Sequence, residues 1–346
     1  MENYLKRLSE MHAPTGMEDE VADFMHAELE AKGFSVHRDA LGNVIARKGK
    51  GKKVMVATHM DECGMAVSSI TKDGFLRFMK IGGLYDGILA NARVIIHAKQ
   101  RMHGVIGQKP PHLMKEEEFK KTVESEQMFV DAGFKNANEA AKAGIRPGTF
   151  ITFDSHYKEL PNNLATGKAF DDRAGCAALL DLAGRLKNVN ECEAILVGTV
   201  REETGLYGAG LAAFGIEPDF AIALDVTLAG GTPDVSEEKV PVKLGAGPAL
   251  EVMQASGKGL IMSKRLIEWA EKTAASKKIP MQFEASERSR TDAAGIHYSR
   301  AGVLATSIGI PSRYIHAPHE IINLDDLKQA AALAEALVRG FKDYKA

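Results

Sequence analysis

The spacing of hydrophobic positions changes within the first sixty residues. After Thr15-Gly16-Met17-Glu18, which has the spacing of a capping box, Val21, Phe24, Met25 and Leu29 recur on one helical face until Gly33. An amphipathic helix is predicted there. Strand-like segments follow: SVHRDA and NVIARKG flank a Gly42-Asn43 turn, a charged KGKGKK hairpin loop comes next, and KVMVATH is almost wholly apolar. An unbroken apolar run of that kind predicts a central strand covered on both faces.

From about residue 66 the pattern becomes short β-like pieces such as RVIIHAK and HGVIG, with prolines at 110 and 111 and a polar stretch KEEEFKKTVESEQ. From Gly167 an α/β rhythm resumes: helix DRAGCAALLDLAGRLKN, strand AILVGTV, glycine-rich helix GLYGAGLAAF, strand DFAIALDV, a helix near 261 to 276, and strand GVLATSIGI. A last helix lines up Leu327, Leu333, Leu337, Val338 and Phe341. The expected fold class is therefore α/β: a three-layer sandwich catalytic domain made of residues 1–65 and 162–346, split by an inserted β-rich domain over 66–161.

Composition narrows the functional classes. The chain has 346 residues, 45% hydrophobic, enough for two domains. Lys plus Arg number 44 against 46 Asp plus Glu, a net charge of −2 that gives no electrostatic case for nucleic acid or an anionic membrane. Three cysteines, Cys63, Cys176 and Cys192, lack CxxC spacing and read as buried free thiols. The N-terminal stretch has no apolar signal region and no run approaches the ~20 residues that span a bilayer, so a cytoplasmic location is expected.

Candidate chemistry gathers at predicted strand ends: His59 and Asp61 after VMVAT, Asp171-Asp172 before a helix, Glu202-Glu203 after ILVGTV, Asp225 after FAIAL, and His316 after GIPSRYI. In open α/β sheets ligands bind outside the carboxyl ends of the strands, so these groups are placed to converge. Two imidazoles with carboxylates form a mixed N/O set suited to zinc, cobalt or manganese, and a shared carboxylate can bridge two metals. Each residue also has a plainer reading. His59 could be a satisfied core histidine, Asp171-Asp172 a helix cap, Asp225 a turn residue, and Glu202-Glu203 a solvated helix start. Alternation puts residues 59 and 61 on one side, so Asp61 could hydrogen-bond the second imidazole nitrogen. Of the two adjacent glutamates, one could hold a metal while the other, with a raised pKa, accepts a proton from water.

The chain resembles the tetrahedral aminopeptidase family, which holds glutamyl, leucyl, lysyl and deblocking aminopeptidases and some members described as endoglucanases. The resemblance spans nearly the whole chain and rests on APTGMEDEV, GVIGQKPPHLM, RPGTFITFDSHY, ATGKAFDDRAGCA, KLGAGPAL, TDAAGI and RYIHAPHE. It implies that His59, Asp171, Glu203, Asp225 and His316 hold two divalent metal ions, zinc or cobalt first and manganese as a further option, with Asp171 bridging. It implies Glu202 as general base, Asp61 as the aspartate behind the first histidine, and Asp172 as structural. It further implies that the inserted domain mediates dimerisation, that dimers build a hollow tetrahedral dodecamer, and that unfolded peptides are the substrates. Exopeptidase direction comes from the resemblance alone.

The sequence departs from the family twice. Glu287 to Ala293 reads ERSRTDA where the family carries a glycine-rich GGTDA-like segment, and Arg288 and Arg290 there would favour acidic substrate side chains if they line the pocket. Solvated arginines on an interface loop are the plain alternative. Arg201, where a neutral residue is common, would depress the pKa of Glu202. Rival readings are a metal-dependent glycosidase, disfavoured by 6% aromatic content and a single tryptophan, Trp269; a non-catalytic assembly; and a carboxypeptidase or amidase on the same centre.

Overall fold

A computed structural model describes residues 1–345. Eleven strands form one sheet, in the order Ser35–Arg38, Val44–Gly49, Glu193–Thr199, Lys53–His59, Phe220–Leu228, Leu304–Arg313, Glu320–Asn323, Leu164–Gly167 and Lys158–Leu160, with Ala249–Met253 and Gln282–Ala285 branching from Leu304–Arg313. The four central strands, Glu193–Thr199, Lys53–His59, Phe220–Leu228 and Leu304–Arg313, run parallel. Their side chains are buried along almost their whole length. Helices pack on both faces of this sheet: Phe170–Arg185 and Leu324–Gly340 against each other and the central strands, and Tyr207–Ile216 with Asp292–His297 against the other side. The three-layer α/β architecture is thus present.

The inserted segment folds on its own core. Strands Gly64–Ile70, Leu76–Ile81, Phe129–Asp131, Arg101–Gly107, Arg93–His97 and Phe150–Phe153 close into a six-stranded barrel in that order. Met65, Val67, Leu76, Phe78, Val94, Ile96, Ile106, Val130 and Ile151 fill it, a cluster separate from that of the large sheet. Lys158–Leu160 pairs in the large sheet, beside Leu164–Gly167.

Two local expectations are corrected. KGKGKK is not a hairpin loop, because Glu193–Thr199 lies between Val44–Gly49 and Lys53–His59 and pairs with both. Gly49 and Gly51 adopt φ of +87° and +113°, which lets the short loop step across one strand and leave both edges of an apolar strand hydrogen-bonded. Thr15 and Glu18 do not form a capping box either. The helix Asp19–Ala31 has Glu18 as its uncapped N-cap residue, and the Thr15 hydroxyl donates to Asp61 Oδ2 at 2.7 Å. A tertiary partner took the hydroxyl that local geometry had assigned to the helix. An N-terminal helix, Glu2–Glu10, was not anticipated; it buries Leu5 and Leu8.

Candidate active site

The parallel strands deliver their carboxyl ends to one place. His59 ends its strand, Asp225 lies near the end of the adjacent one, Glu202 and Glu203 follow Thr199, and His316 follows Arg313. Asp171 enters from the start of the helix Phe170–Arg185. Left-handed backbone at Ala169, Arg201, Leu206, Tyr314 and His316, an arrangement costing of the order of 1 kcal/mol per residue, brackets these groups. Such conformations persist only where surrounding packing holds them.

Asp171 is the hinge of the arrangement. Its Oδ1 lies 3.0 Å from His59 Nε2, and its Oδ2 lies 3.2 Å from His316 Nε2. His59 Nε2 is also 3.8 Å from Asp225 Oδ1, and His316 Nε2 is 3.3 Å from Glu203 Oε2. The five residues expected to bind metal therefore sort into two adjoining groups that share Asp171. Each histidine is oriented by its other nitrogen: His59 Nδ1 donates to the Asp61 carbonyl at 3.1 Å, and His316 Nδ1 to the Gly83 carbonyl at 3.2 Å. Gly83 comes from the inserted segment, and a Cβ on it would sit 2.8 Å from His316 Nδ1.

Asp61 meets the second nitrogen of His59 through two oxygens, its main-chain carbonyl at 3.1 Å and its carboxylate at 3.5 Å. The carboxylate also accepts from Thr15 Oγ1 at 2.7 Å, Glu202 N at 3.1 Å and Glu203 N at 3.3 Å. One buried residue thus fixes both the imidazole and the glutamate pair.

Electrostatics mark the cluster as short of positive charge. Burial lifts the Glu202 carboxyl well above the usual range, His59 pulls it back, and Glu203 and Asp292 raise it further. Burial likewise lifts Asp225, helped by Asp172. Burial opposes a charged His59, yet Glu202, Asp171, Asp61 and Asp225 together hold its pKa well up. Arg201 is exposed and is not among the main influences on Glu202, whose pKa burial raises against the expected depression. Glu203 Oε1 is buried with no hydrogen-bond partner. A buried carboxylate oxygen without a donor, facing histidines and further carboxylates, suits a divalent cation.

Asp172 and Cys63 complete the picture. Asp172 accepts from Thr58 Oγ1, from Gly175 N at 2.8 Å and from His59 N at 3.3 Å, although one of its oxygens also lies within 4.8 Å of the donor atoms of His59 and Asp225. Cys63 Sγ lies within 4.8 Å of Glu203 and His316. Burial and the Glu203 charge hold its thiol strongly protonated. Cys63 and Glu62 carried no motif signal, and Lys168, Arg173 and Glu320, which lie in ATGKAFDDRAGCA and RYIHAPHE, had no role assigned to them from the sequence. Glu320 Oε2 accepts from Asp171 N at 2.8 Å, a contact between residues 149 positions apart.

The site opens into a cavity of about 450 Å³ lined by His59, Asp171, Glu202, Glu203, Asp225 and His316, with Arg288 and Arg290 also on its wall. A larger hollow of about 720 Å³ lies between Lys264–Ser276 and Leu324–Gly340, but no histidine lines it. Trp269 is there, edge-on to Phe220 at 5.7 Å, at the opposite end of the strand from Asp225.

Residues 42–333 match the M42 glutamyl aminopeptidase family, and the chain belongs to that family. It is 35% identical over 331 residues to the lysyl aminopeptidase of Pyrococcus furiosus, covering 94% of this chain and 92% of the relative. It is 30% identical over 350 residues to the glutamyl aminopeptidase of Lactococcus lactis, covering 99% and 96%. Among solved structures, the aminopeptidase APDkam598 of the archaeon Desulfurococcus kamchatkensis superposes with a TM-score of 0.93 at 38% identity, covering 98% of this chain and 95% of that one. The Pyrococcus horikoshii TET1 peptidase, described as able to assemble into a tetrahedron or a large octahedral shell, gives 0.84 at 29% identity, covering 97% and 98%. The protein is therefore a peptide hydrolase of aminopeptidase type, which sets aside the non-catalytic alternative. No helix among the described residues is long and apolar enough to cross a membrane.

Proposed function

We propose that the protein is a dinuclear metal-dependent aminopeptidase in which His59, Asp171 and Asp225 hold one divalent ion and Asp171, Glu203 and His316 the other. The observation that carries this reading is the division of the Asp171 carboxylate, one oxygen toward each histidine. Zinc or cobalt suits the N/O donor set, and manganese is acceptable. Metal held by these residues would supply Lewis acidity for the scissile carbonyl and for water.

The protein's own groups do the remainder. Glu202, held by the Asp61 carboxylate through its main-chain N–H, is the free carboxylate beside the ligands, and burial has raised its affinity for a proton. It accepts the proton of the attacking water and returns it to the leaving amine. Asp61 fixes His59 and the Glu202–Glu203 backbone together. Arg288 and Arg290, exposed on the cavity wall, favour acidic side chains at the substrate N-terminus. The barrel segment serves dimerisation, and dimers join into a tetrahedral dodecamer in the cytoplasm, a reading supported by the TET1 relative.

Glu202→Gln provides the test, read by turnover on aminoacyl chromogenic substrates with zinc, cobalt and manganese in turn, together with metal content. A fall of about 10²–10⁴-fold in kcat with two ions per chain retained is expected. Unchanged turnover removes Glu202 from its role, and loss of metal makes it a ligand instead of the base.

A further inference from the structure

The helix Tyr207–Ile216 has no charged side chain, yet Tyr207, Leu211 and Phe214 are 57%, 58% and 54% exposed and lie on one face. Tyr298, just past the neighbouring helix Asp292–His297, is 64% exposed. A helix apolar on all sides is ordinarily buried. Here its small residues face inward: Gly208, Ala209, Ala212 and Ala213 are buried, and Gly210 lies so near Gly295 that a Cβ would meet the Gly295 carbonyl at 3.4 Å. The close helix pairing leaves the large apolar side chains outside.

Between them runs a hollow of about 370 Å³ lined by Leu206, Tyr207, Leu211, Ala294 and Tyr298, with Lys258 and Arg290 on its wall. It shares Gly205, Leu206 and Arg290 with the cavity that holds Glu202 and Glu203. An apolar trough with polar edges therefore leads away from the catalytic groups. Exposed apolar surface of this form marks an interaction site.

We propose that this trough docks the peptide substrate beyond the scissile bond and takes an apolar or aromatic side chain from the residues that follow the one removed. The proposal rests on the aminopeptidase reading. A substrate whose first residue sits among His59, Asp171 and Glu202 has to leave the cavity as an extended chain, and the trough adjoins that cavity along Gly205, Leu206 and Arg290. Tyr207, Leu211 and Tyr298 offer rigid apolar contact there, and a Phe or Leu side chain set against them leaves water.

The test uses the metal-loaded full-length protein and two pentapeptides with the same first residue, one with Phe and one with Gly second. An aminoacyl chromogenic amide, which has no peptide beyond its leaving group, is the reference. The wild type is expected to favour the Phe peptide by about tenfold in KM, and the double variant Leu211→Ser, Tyr298→Ala to erase that preference. Leu211→Met, which keeps the apolar contact, restores it and separates lost docking from misfolding. Absence of the preference in the wild type, or its survival in the double variant, overturns the proposal. A change in particle mass with the preference intact assigns the face to a second copy of the chain. Failure of the wild type to cleave all three substrates would instead refute the aminopeptidase reading.

Discussion

Around Glu62 one carboxylate meets two cations, whereas around Asp171 several carboxylates share two imidazoles. Lys168 Nζ donates to both Glu62 oxygens at 2.8 and 2.9 Å and to the Met11 carbonyl at 2.7 Å. Arg173 donates to Glu62 at 3.3 Å and to the Met60 carbonyl at 2.9 Å, and Ala13 N adds a bond at 2.9 Å. Burial lowers the Lys168 pKa and Glu62 works against that shift, while Lys168 and Arg173 hold Glu62 down to about 2 against its own burial. Nearby, Asp171, Glu202, Glu203 and Asp225 have no such cations, and Glu203 Oε1 has no partner. The contrast teaches how to tell a structural charge cluster from one that suits a cation: in the first both carboxylate oxygens meet Lys or Arg, although Arg173 Nε has no partner, and in the second the carboxylates outnumber the cationic groups and one of their own oxygens is unpartnered.

The largest effect should come from breaking the Glu62 cluster. Glu62→Ala leaves two buried cations without their acid and is expected to cost about 3–5 kcal/mol in denaturant unfolding. A cost near zero would mean the triad is solvated and not structural. The pH dependence follows from the sign of the shift. The Glu62 pKa is depressed in the fold from 4.5 to about 2, so its contribution is whole above pH 4.5 and is lost as pH falls toward 2. Glu62→Gln should flatten that acid limb.

Per site, a smaller effect should come from adding metal to the carboxylate-rich cluster. Metal-free protein titrated with zinc is expected to take up two ions per chain and to gain about 2.7 kcal/mol per site at a free ion concentration a hundred times Kd. His316→Ala should halve the uptake. Full occupancy in that variant would remove His316 from the ligand set. The smallest effect belongs to the cavity wall, where water screens charge. Replacing Arg288 and Arg290 by Ser should lower the ratio of kcat/KM for glutamyl over lysyl chromogenic substrates by about threefold to tenfold. An unaltered ratio would make both arginines solvated loop residues.

Much of this site was legible one residue at a time. His59, Asp225 and the Glu202–Glu203 pair stand at the ends of apolar runs, and in a parallel sheet such ends share one edge. Asp171 was visible because adjacent acids exceed what a helix cap needs. The pairing of Glu62 with Lys168 and Arg173 was not legible, since an acid at a strand end and a Lys or Arg more than a hundred residues later have no periodic relation. The same distance hid Thr15, whose hydroxyl serves Asp61 across 46 residues in place of the helix beside it.

The sequence by itself determined the alternating elements, the inserted β-rich segment and the residue types of the site, because hydrophobic period and strand-end position are local properties of the chain. Only the tertiary structure decided which strand lies beside which, that Asp171 divides its two oxygens between two histidines, and which buried acids find cations and which do not. Those outcomes depend on distances between residues far apart in the chain, and the energy of a buried charge depends on what folding places within a few ångströms of it.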